Sequence, residues 1–177
     1  HALDCIPASR ITTLAKQCED IVHNGSSGLD ICGVSASTPM LFKNGSSTSI
    51  EHYQLPNLYL HPTEQIGFTS NCIQNVAKLM LNEPKRADQI DKNMNQATNL
   101  IVHHLDNPDA PQWMEAIQLA NQCFVDWGLI TPCLQQAMDA WYAQGCLALK
   151  PTGSGQGGYL LGLWPPNITP LNSIKIK

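Results

Sequence analysis

No stretch of this 177-residue sequence approaches the ~20 consecutive apolar residues needed to cross a bilayer. Basic clusters are missing as well. Of ten lysines and arginines only Lys85 and Arg86 are adjacent, and a formal charge of -4 gives no electrostatic footprint for nucleic acid. The seven cysteines form no C-x-x-C pair and follow no regular spacing, which argues against a disulfide framework. Their odd number reads as free thiols in a reducing compartment, so a soluble, cytoplasmic chain is expected. No signal peptide stands at the start, and the sequons at Asn24, Asn44 and Asn167 read as chance. There is no internal repeat and no low-complexity tract. The sequence opens on His1 without an initiator methionine and runs directly into helical sequence, so a piece of a longer protein is expected.

What is present suits a globular chain. With 43% hydrophobic residues, 12 glycines and 12 prolines, it fits one domain or one and a fraction. A chain of this size buries roughly 70% of its unfolded surface, so it can build a core without metal or disulfide staples.

From Ser9 to His23 the residues Ile11, Leu14, Ala15, Cys18, Ile21 and Val22 keep to one helical face, with Ser9 placed as the cap. Asn24-Gly25-Ser26-Ser27-Gly28 then reads as a loop. Thr38–Lys43 reads as a strand ending at Asn44-Gly45, followed by a polar loop and strand-like pieces at Leu58–Leu60 and Gln65–Thr69. Four helices follow, marked by Ile73/Val76/Ala77/Met80, Ile90/Met94/Ala97/Ile101, Trp113/Ile117/Ala120/Phe124 and Leu134/Ala137/Met138/Trp141. Pro84, Asn107-Pro108, Gly128 and Gly145 supply their stops, and Thr131-Pro132 caps the fourth. Strands are expected again at Cys146–Leu149, Tyr159–Trp164 and Ser173–Lys177. Strands on both sides of a helical block imply the α+β class, with helices on one face of a mainly antiparallel sheet.

Two segments carry candidate chemistry. In Lys150-Pro151-Thr152-Gly153-Ser154-Gly155-Gln156-Gly157-Gly158, the glycines satisfy G-x-G-x-x-G, yet strand-like Tyr-Leu-Leu-Gly-Leu-Trp follows where a dinucleotide site needs a helix. A Walker loop fails too, because no Lys-Ser or Lys-Thr follows the glycines. What remains is a glycine-rich turn between strands, either a bare backbone that lets a phosphate approach or an ordinary hairpin. Lys150 itself is expected on an exposed strand end. The second segment is His23-Asn24-Gly25-Ser26-Ser27-Gly28-Leu29-Asp30. A lone Asp after such a turn is commonly a solvated turn residue or a cap. Glu19, however, falls at the border of the apolar stripe of the preceding helix, whereas Asp20 points to solvent. A helix-borne carboxylate and a loop-borne one can thus approach one cleft, a pair suited to phosphoryl transfer: one holds Mg²⁺ and the other accepts a hydroxyl proton. His103 and His104 are adjacent near a helix end and cannot form an i, i+4 metal pair.

Together, the H-x-x-x-S-G-x-D segment and the K-x-T-G-x-G-x-G-G loop resemble the GHMP small-molecule kinases, named for galactokinase, homoserine kinase, mevalonate kinase and phosphomevalonate kinase. Within that family the mevalonate kinase branch matches best, with a glutamate eleven residues before the catalytic aspartate, as Glu19 stands before Asp30. The resemblance implies ATP and Mg²⁺ as cofactors. It makes Asp30 the catalytic base and Glu19 a holder of Mg²⁺, and places Ser27, Gly28, Thr152, Gly153 and Ser154 beside the substrate. Gly155, Gly157 and Gly158 would support the nucleotide phosphate loop.

It also implies a ferredoxin-like C-terminal domain over 56–177, with 1–55 a remnant of the N-terminal catalytic domain. The partners expected are a small hydroxy acid such as mevalonate and the missing N-terminal half of the same enzyme, with a homodimer compatible. The family's nucleotide loop and its lysine are absent from these residues, so this chain alone should phosphorylate nothing. Gln156 replaces a usual glycine, and Asp-Ile-Cys replaces Asp-Asn after Leu29. The family's threonine before the Ile73 helix finds no counterpart, the alignment falling on Asn75 or Val76. Phosphomevalonate kinase, whose motif also reads S-G-x-D, is the alternative within the family. A non-catalytic protein that keeps the fold to bind a metabolite or a partner is the alternative outside it.

Overall fold

The computed structural model describes residues 7–23, 26–63, 65 and 69–176. The chain forms two compact units, His1–His52 and Tyr53–Lys177.

The first unit holds α1 (Ala8–His23), α2 (Leu29–Ser35) and a hairpin of β1 (Met40–Lys43) and β2 (Ser46–Ser49). α1 starts one residue before the expected cap. The carbonyl of Pro7 accepts the amides of Arg10 and Ile11 at 2.8 and 3.1 Å, so Ser9 lies within the first turn. Gly28, at φ 80°, turns the chain into α2, and Asp30 therefore lies in the first turn of a helix rather than in a loop. Asn44 and Gly45 both have positive φ (51° and 77°), the two-residue turn whose twist matches paired strands. That turn brings Lys43 opposite Ser46 and makes a strand of Ser46–Ser49, which the sequence presents as a polar loop.

The second unit begins with β3 (Leu58–Pro62), continues through α3 (Thr69–Asn82), α4 (Pro84–His103), α5 (Gln112–Asp126) and α6 (Pro132–Ala143), and ends with β4 (Ala148–Pro151), β5 (Tyr159–Leu163) and β6 (Ile174–Lys175). Of the strand expected at Gln65–Thr69, residues 66–68 lie outside those described, and Thr69 opens α3. Pro84 opens α4, and Pro132 opens α6 behind the Thr131 cap, whose Oγ1 accepts the Leu134 amide at 3.2 Å. Gly128 and Gly145, at φ 70° and 99°, follow α5 and α6 as anticipated. α4 stops at His103, before the expected Asn107-Pro108. Nδ1 of His103 and of His104 donate back to the carbonyls of Asn99 and Leu100 at 2.7 and 2.8 Å, tying off its end.

The sheet runs β4-β5-β3-β6 with antiparallel neighbours. Its register separates two faces: Leu58, Ala148, Leu161 and Leu163 on one, Tyr59, Leu149 and Leu160 on the other. The first face packs against Trp113 and Ile117 of α5 and Ile101 of α4. The second packs against Leu134 and Met138 of α6, with Trp164. Helices therefore cover both faces, which corrects the one-faced expectation. The physical reason is that β4 and β5 are apolar at successive positions rather than alternate ones, the mark of a strand buried on both sides. Each fully buried Leu or Met here contributes about 1.5–3 kcal/mol relative to exposure.

Candidate functional site

Each unit contains one of the two candidate segments, and they are described separately. In the first, Ser26 is the hub. Its hydroxyl donates to Glu19 Oε2 at 2.8 Å, its amide donates to Asp20 Oδ1 at 2.7 Å, and its carbonyl accepts Lys16 Nζ at 2.8 Å. Lys16 also pairs with Asp20 at 2.6 Å. Asp20 thus fastens the loop instead of pointing away to solvent, because its carboxylate matches both the Ser26 amide and the Lys16 ammonium. The Lys16 hydrogen bond, followed by that of Ser26, holds its carboxyl below the ordinary carboxylate range. Ser27 Oγ accepts the Leu29 amide at 3.2 Å, and Gly28 follows in its left-handed conformation. Asp30 is exposed, and no hydrogen bond links it to another described residue. Glu19, near the end of α1, is anchored through Ser26, and Asp30 stands exposed in the first turn of α2. The side chain of His23, with Asn24 and Gly25, lies outside the described residues.

In the second unit, the loop between β4 and β5 is closed at its base by Thr152, whose amide and Oγ1 both donate to the Tyr159 carbonyl at 2.9 Å. Beyond that point φ is positive at Gly153, Gly155, Gln156, Gly157 and Gly158. Gln156 occupies the left-handed region at 60°, which accounts for the expectation of glycine at that position and marks the departure as one of backbone strain. The loop is pinned on both sides: Gln156 donates to the Leu129 carbonyl at 3.2 Å and Gly158 to that of Gln65 at 2.9 Å, while Thr63 donates to the Gly158 carbonyl. Among the described residues, the amides of Gly153, Ser154, Gly155 and Gly157 meet no acceptor. Backbone amides without an acceptor in a glycine-rich loop are donors that an anion can use.

The loop sits over apolar ground. A Cβ on Gly155 would lie 3.1 Å from Leu129 Cβ and 3.3 Å from Phe124 Cδ1, so this position requires glycine twice over. A cavity of about 370 Å³ opens beside it, lined by Cys72, Val76, Phe124, Trp127, Gly153 and Ser154. Ser154 Oγ lies 3.3 Å from Thr69 Oγ1. Thr69, the first residue of α3, therefore faces the loop, where the sequence alignment found no threonine. Its only sequence signal was Thr69-Ser70 directly before a helical period.

Lys150 departs from its expected exposure. It is half-buried, its ammonium 5.6 Å from the Phe124 ring centroid and donating to the Pro151 carbonyl at 2.9 Å. Its strand position faces α5, so the stem is covered, and burial pulls its pKa down to about 8. No cluster of three or more His, Cys, Asp or Glu side chains able to hold a metal occurs among the described residues. Mg²⁺ held with a nucleotide needs only one or two carboxylates besides phosphate and water. Glu19 fits that lesser role, since Ser26 takes Oε2 and no other described residue bonds its second oxygen.

No family model matches the chain, and no curated protein matches its sequence. Solved structures do. L. major mevalonate kinase, in complex with R-mevalonate, is similar over 92% of this chain and 51% of its own, with a TM-score of 0.74 at 18% identity. The Lin0012 protein from Listeria innocua is similar over 92% and 54%, with a TM-score of 0.67 at 13% identity. Mevalonate kinase from methicillin-resistant Staphylococcus aureus is similar over 90% and 50%, with a TM-score of 0.50 at 19% identity. The chain spans about half the length of the structures it matches. At these identities the likeness is one of fold: this is a mevalonate kinase-like α+β fold.

Proposed function

We propose that this chain is the C-terminal part of a GHMP-type kinase that transfers the γ-phosphoryl group of ATP to the hydroxyl of a small hydroxy acid, with mevalonate the first acceptor to test. The observation that carries the reading is the Thr152–Gly158 loop: four amides without an acceptor among the described residues, anchored on both sides, in a chain of mevalonate kinase-like fold. Phosphoryl transfer asks a protein chiefly for positioning and for donors aimed at phosphate or carboxylate oxygens. Such a loop provides both.

On this reading Tyr53–Lys177 is the C-terminal domain, its sheet a ferredoxin-like variant with four helices in the first crossover, and His1–His52 is a remnant of the N-terminal domain. Asp30 accepts the proton of the attacking hydroxyl, a role open to an exposed carboxylate without a partner among the described residues. Glu19 would hold Mg²⁺, which when bound neutralises charge on the transferring group. Ser27, Gly28, Thr152, Gly153 and Ser154 line the substrate side, joined by Thr69 through Ser154. Gly155, Gly157 and Gly158 keep the loop open to phosphate. The nucleotide loop and its lysine are assigned to a preceding half of the same enzyme, and this chain alone is expected to be inactive.

The test is ADP release by the full-length protein with Mg-ATP and mevalonate, phosphomevalonate, homoserine or galactose. One acceptor should turn over, and Asp30→Asn should lower its kcat by about 10²–10⁴-fold, the scale of a lost general base. Turnover of phosphomevalonate alone would move the assignment to that kinase. Unchanged turnover in Asp30→Asn would remove Asp30 from its role. Failure of a folded protein to bind ATP would overturn the kinase reading in favour of a binding protein that keeps the fold.

A further inference from the structure

Lys150 lies outside the site assigned above and outside the chemistry proposed for it. It stands on the α5-facing side of β4, directly opposite Leu161 of β5. Its ammonium has three N–H groups, of which one is directed at the Pro151 carbonyl. Among the described residues no carboxylate pairs with it, whereas Lys16, Arg86 and Lys92 each pair with an acid three or four residues away on or beside their own helix. A cation partly withdrawn from water without a counter-ion is costly, and the Phe124 ring offsets only part of that cost.

Above Lys150 and Leu161, a cleft of about 280 Å³ runs between α4 and α5. It exists because Ala97, Ala116 and Ala120, all buried, supply short side chains along the seam where longer ones would fill the space. Met94 lines its wall and the exposed Thr98 stands at its mouth. Apart from Thr98 and Lys150, the lining is apolar.

We propose that this cleft binds a small monocarboxylate with an apolar body, its headgroup on the Lys150 ammonium and its chain between α4 and α5. Charge complementarity selects the headgroup: one cation in apolar walls matches one negative charge, whereas a phosphate dianion would leave charge uncompensated in a poor solvent for it. The volume selects the size, since it falls just below the roughly 300–1,000 Å³ of sites for drug-sized ligands. The Pro151 bond survives occupation, because two donors remain for the carboxylate. Ligand binding also relieves the desolvated ammonium, whose pKa burial has lowered, and that relief adds to affinity.

The test uses the whole chain labelled at its methionine methyl groups, titrated with hexanoate, hexanol and acetate while the Met94 signal is followed. Hexanoate should shift Met94 saturably; hexanol, which lacks the charge, should bind about tenfold or more weakly, the scale of one charge-assisted hydrogen bond, and acetate, which lacks four buried methylenes, about tenfold or more weakly as well. Lys150→Met should weaken hexanoate to the level of hexanol. Thr98→Trp, which blocks the mouth from an exposed position without touching the core, should abolish the shift and decides the matter if Lys150→Met does not fold. Equal binding of hexanol and hexanoate, unchanged affinity in either folded variant, or no saturable shift in the wild-type chain would overturn the proposal.

Discussion

The indole N–H of Trp164 donates to Nε2 of His61 across 2.9 Å, joining the end of β5 to β3 inside the second core. That bond fixes the imidazole tautomer: Nε2 accepts, so Nδ1 carries the proton, and Nδ1 meets no partner among the described residues. The ring has no solvent exposure, and the Trp141 ring of α6 lies over it at 4.1 Å between centroids. Protonating Nε2 would break the Trp164 bond and place a charge among aromatic rings.

Stability should therefore depend on acid pH. Burial pulls the His61 pKa from 6.5 to about 4, so below pH 6.5 the unfolded chain binds the proton that the folded chain refuses. This contribution is complete above pH 6.5 and is lost as pH falls through 4, amounting to about 3 kcal/mol over that window. Denaturant unfolding at pH 7.5 and 4.5 measures it. His61→Gln should lower stability at the higher pH and flatten most of the slope between the two; an unflattened slope would assign it to the carboxylates.

Gly162, between these residues and Leu149, makes the same cluster sensitive to a single methyl group. A Cβ there would meet His61 Nε2 at 2.7 Å and both Leu149 Cδ2 and Trp164 Nε1 at 3.0 Å. The ring atoms are locked by their mutual bond and cannot retreat. Gly162→Ala should cost about 1–3 kcal/mol, the usual cost of overpacking, read as a lowered denaturation midpoint with an unchanged m-value.

The helices were legible in the sequence because their periods and stops are local. Thr131-Pro132 and Gly128 act through their own backbone dihedrals, and the structure has them where the chain announces them. The second helix was not legible. Leu29–Ser35 spans two turns with an exposed Val34 and Asp30 in its first turn, too short to show a period. β2 was hidden for the converse reason, since Ser-Ser-Thr-Ser has no apolar alternation and pairs only because Asn44-Gly45 folds it back. The covering of both sheet faces was written in the unbroken Leu160, Leu161 and Leu163, but which helix takes which face depends on long-range packing. Lys150 was misread by its charge. Its neighbours Leu149 and Pro151 are buried on one face, and Lys150 proved to be half-buried on the other, its ammonium near the Phe124 ring.

The glycine loop separates strain from space. Gly153 has φ 61° with nothing near its missing Cβ, whereas Gly155 combines φ 88° with contacts at 3.1–3.4 Å to Leu129 and Phe124. Gly153→Ala should cost only the left-handed conformation, about 1 kcal/mol, and Gly155→Ala that plus overpacking, about 2–4 kcal/mol. Thermal unfolding of the two variants side by side checks the order. In the full-length protein both should also raise the KM of the acceptor if the loop faces it, Gly155→Ala the more.

Ser26 offers a test that divides folding from metal binding. Its backbone bonds to Lys16 and Asp20 do not involve its side chain, whose hydroxyl also accepts the Gly28 amide at 3.3 Å, so Ser26→Ala should keep most of the loop's ties and cost about 1 kcal/mol of stability. The hydroxyl that it removes fixes Glu19 Oε2 at 2.8 Å, the shorter of its two bonds. On the proposed reading Glu19 is a Mg²⁺ ligand and Ser26 a positioning residue, and such an outer partner is typically worth about 10–100-fold in metal affinity. Titrating activity of the full-length protein with Mg²⁺ at fixed ATP should show that loss as a shifted midpoint with the plateau rate largely kept, and Ser26→Thr, which retains the hydroxyl, should restore it. A lowered plateau with an unshifted midpoint would mean that the hydroxyl serves the acceptor rather than the metal, and Glu19 would then need no help from Ser26 to reach its place.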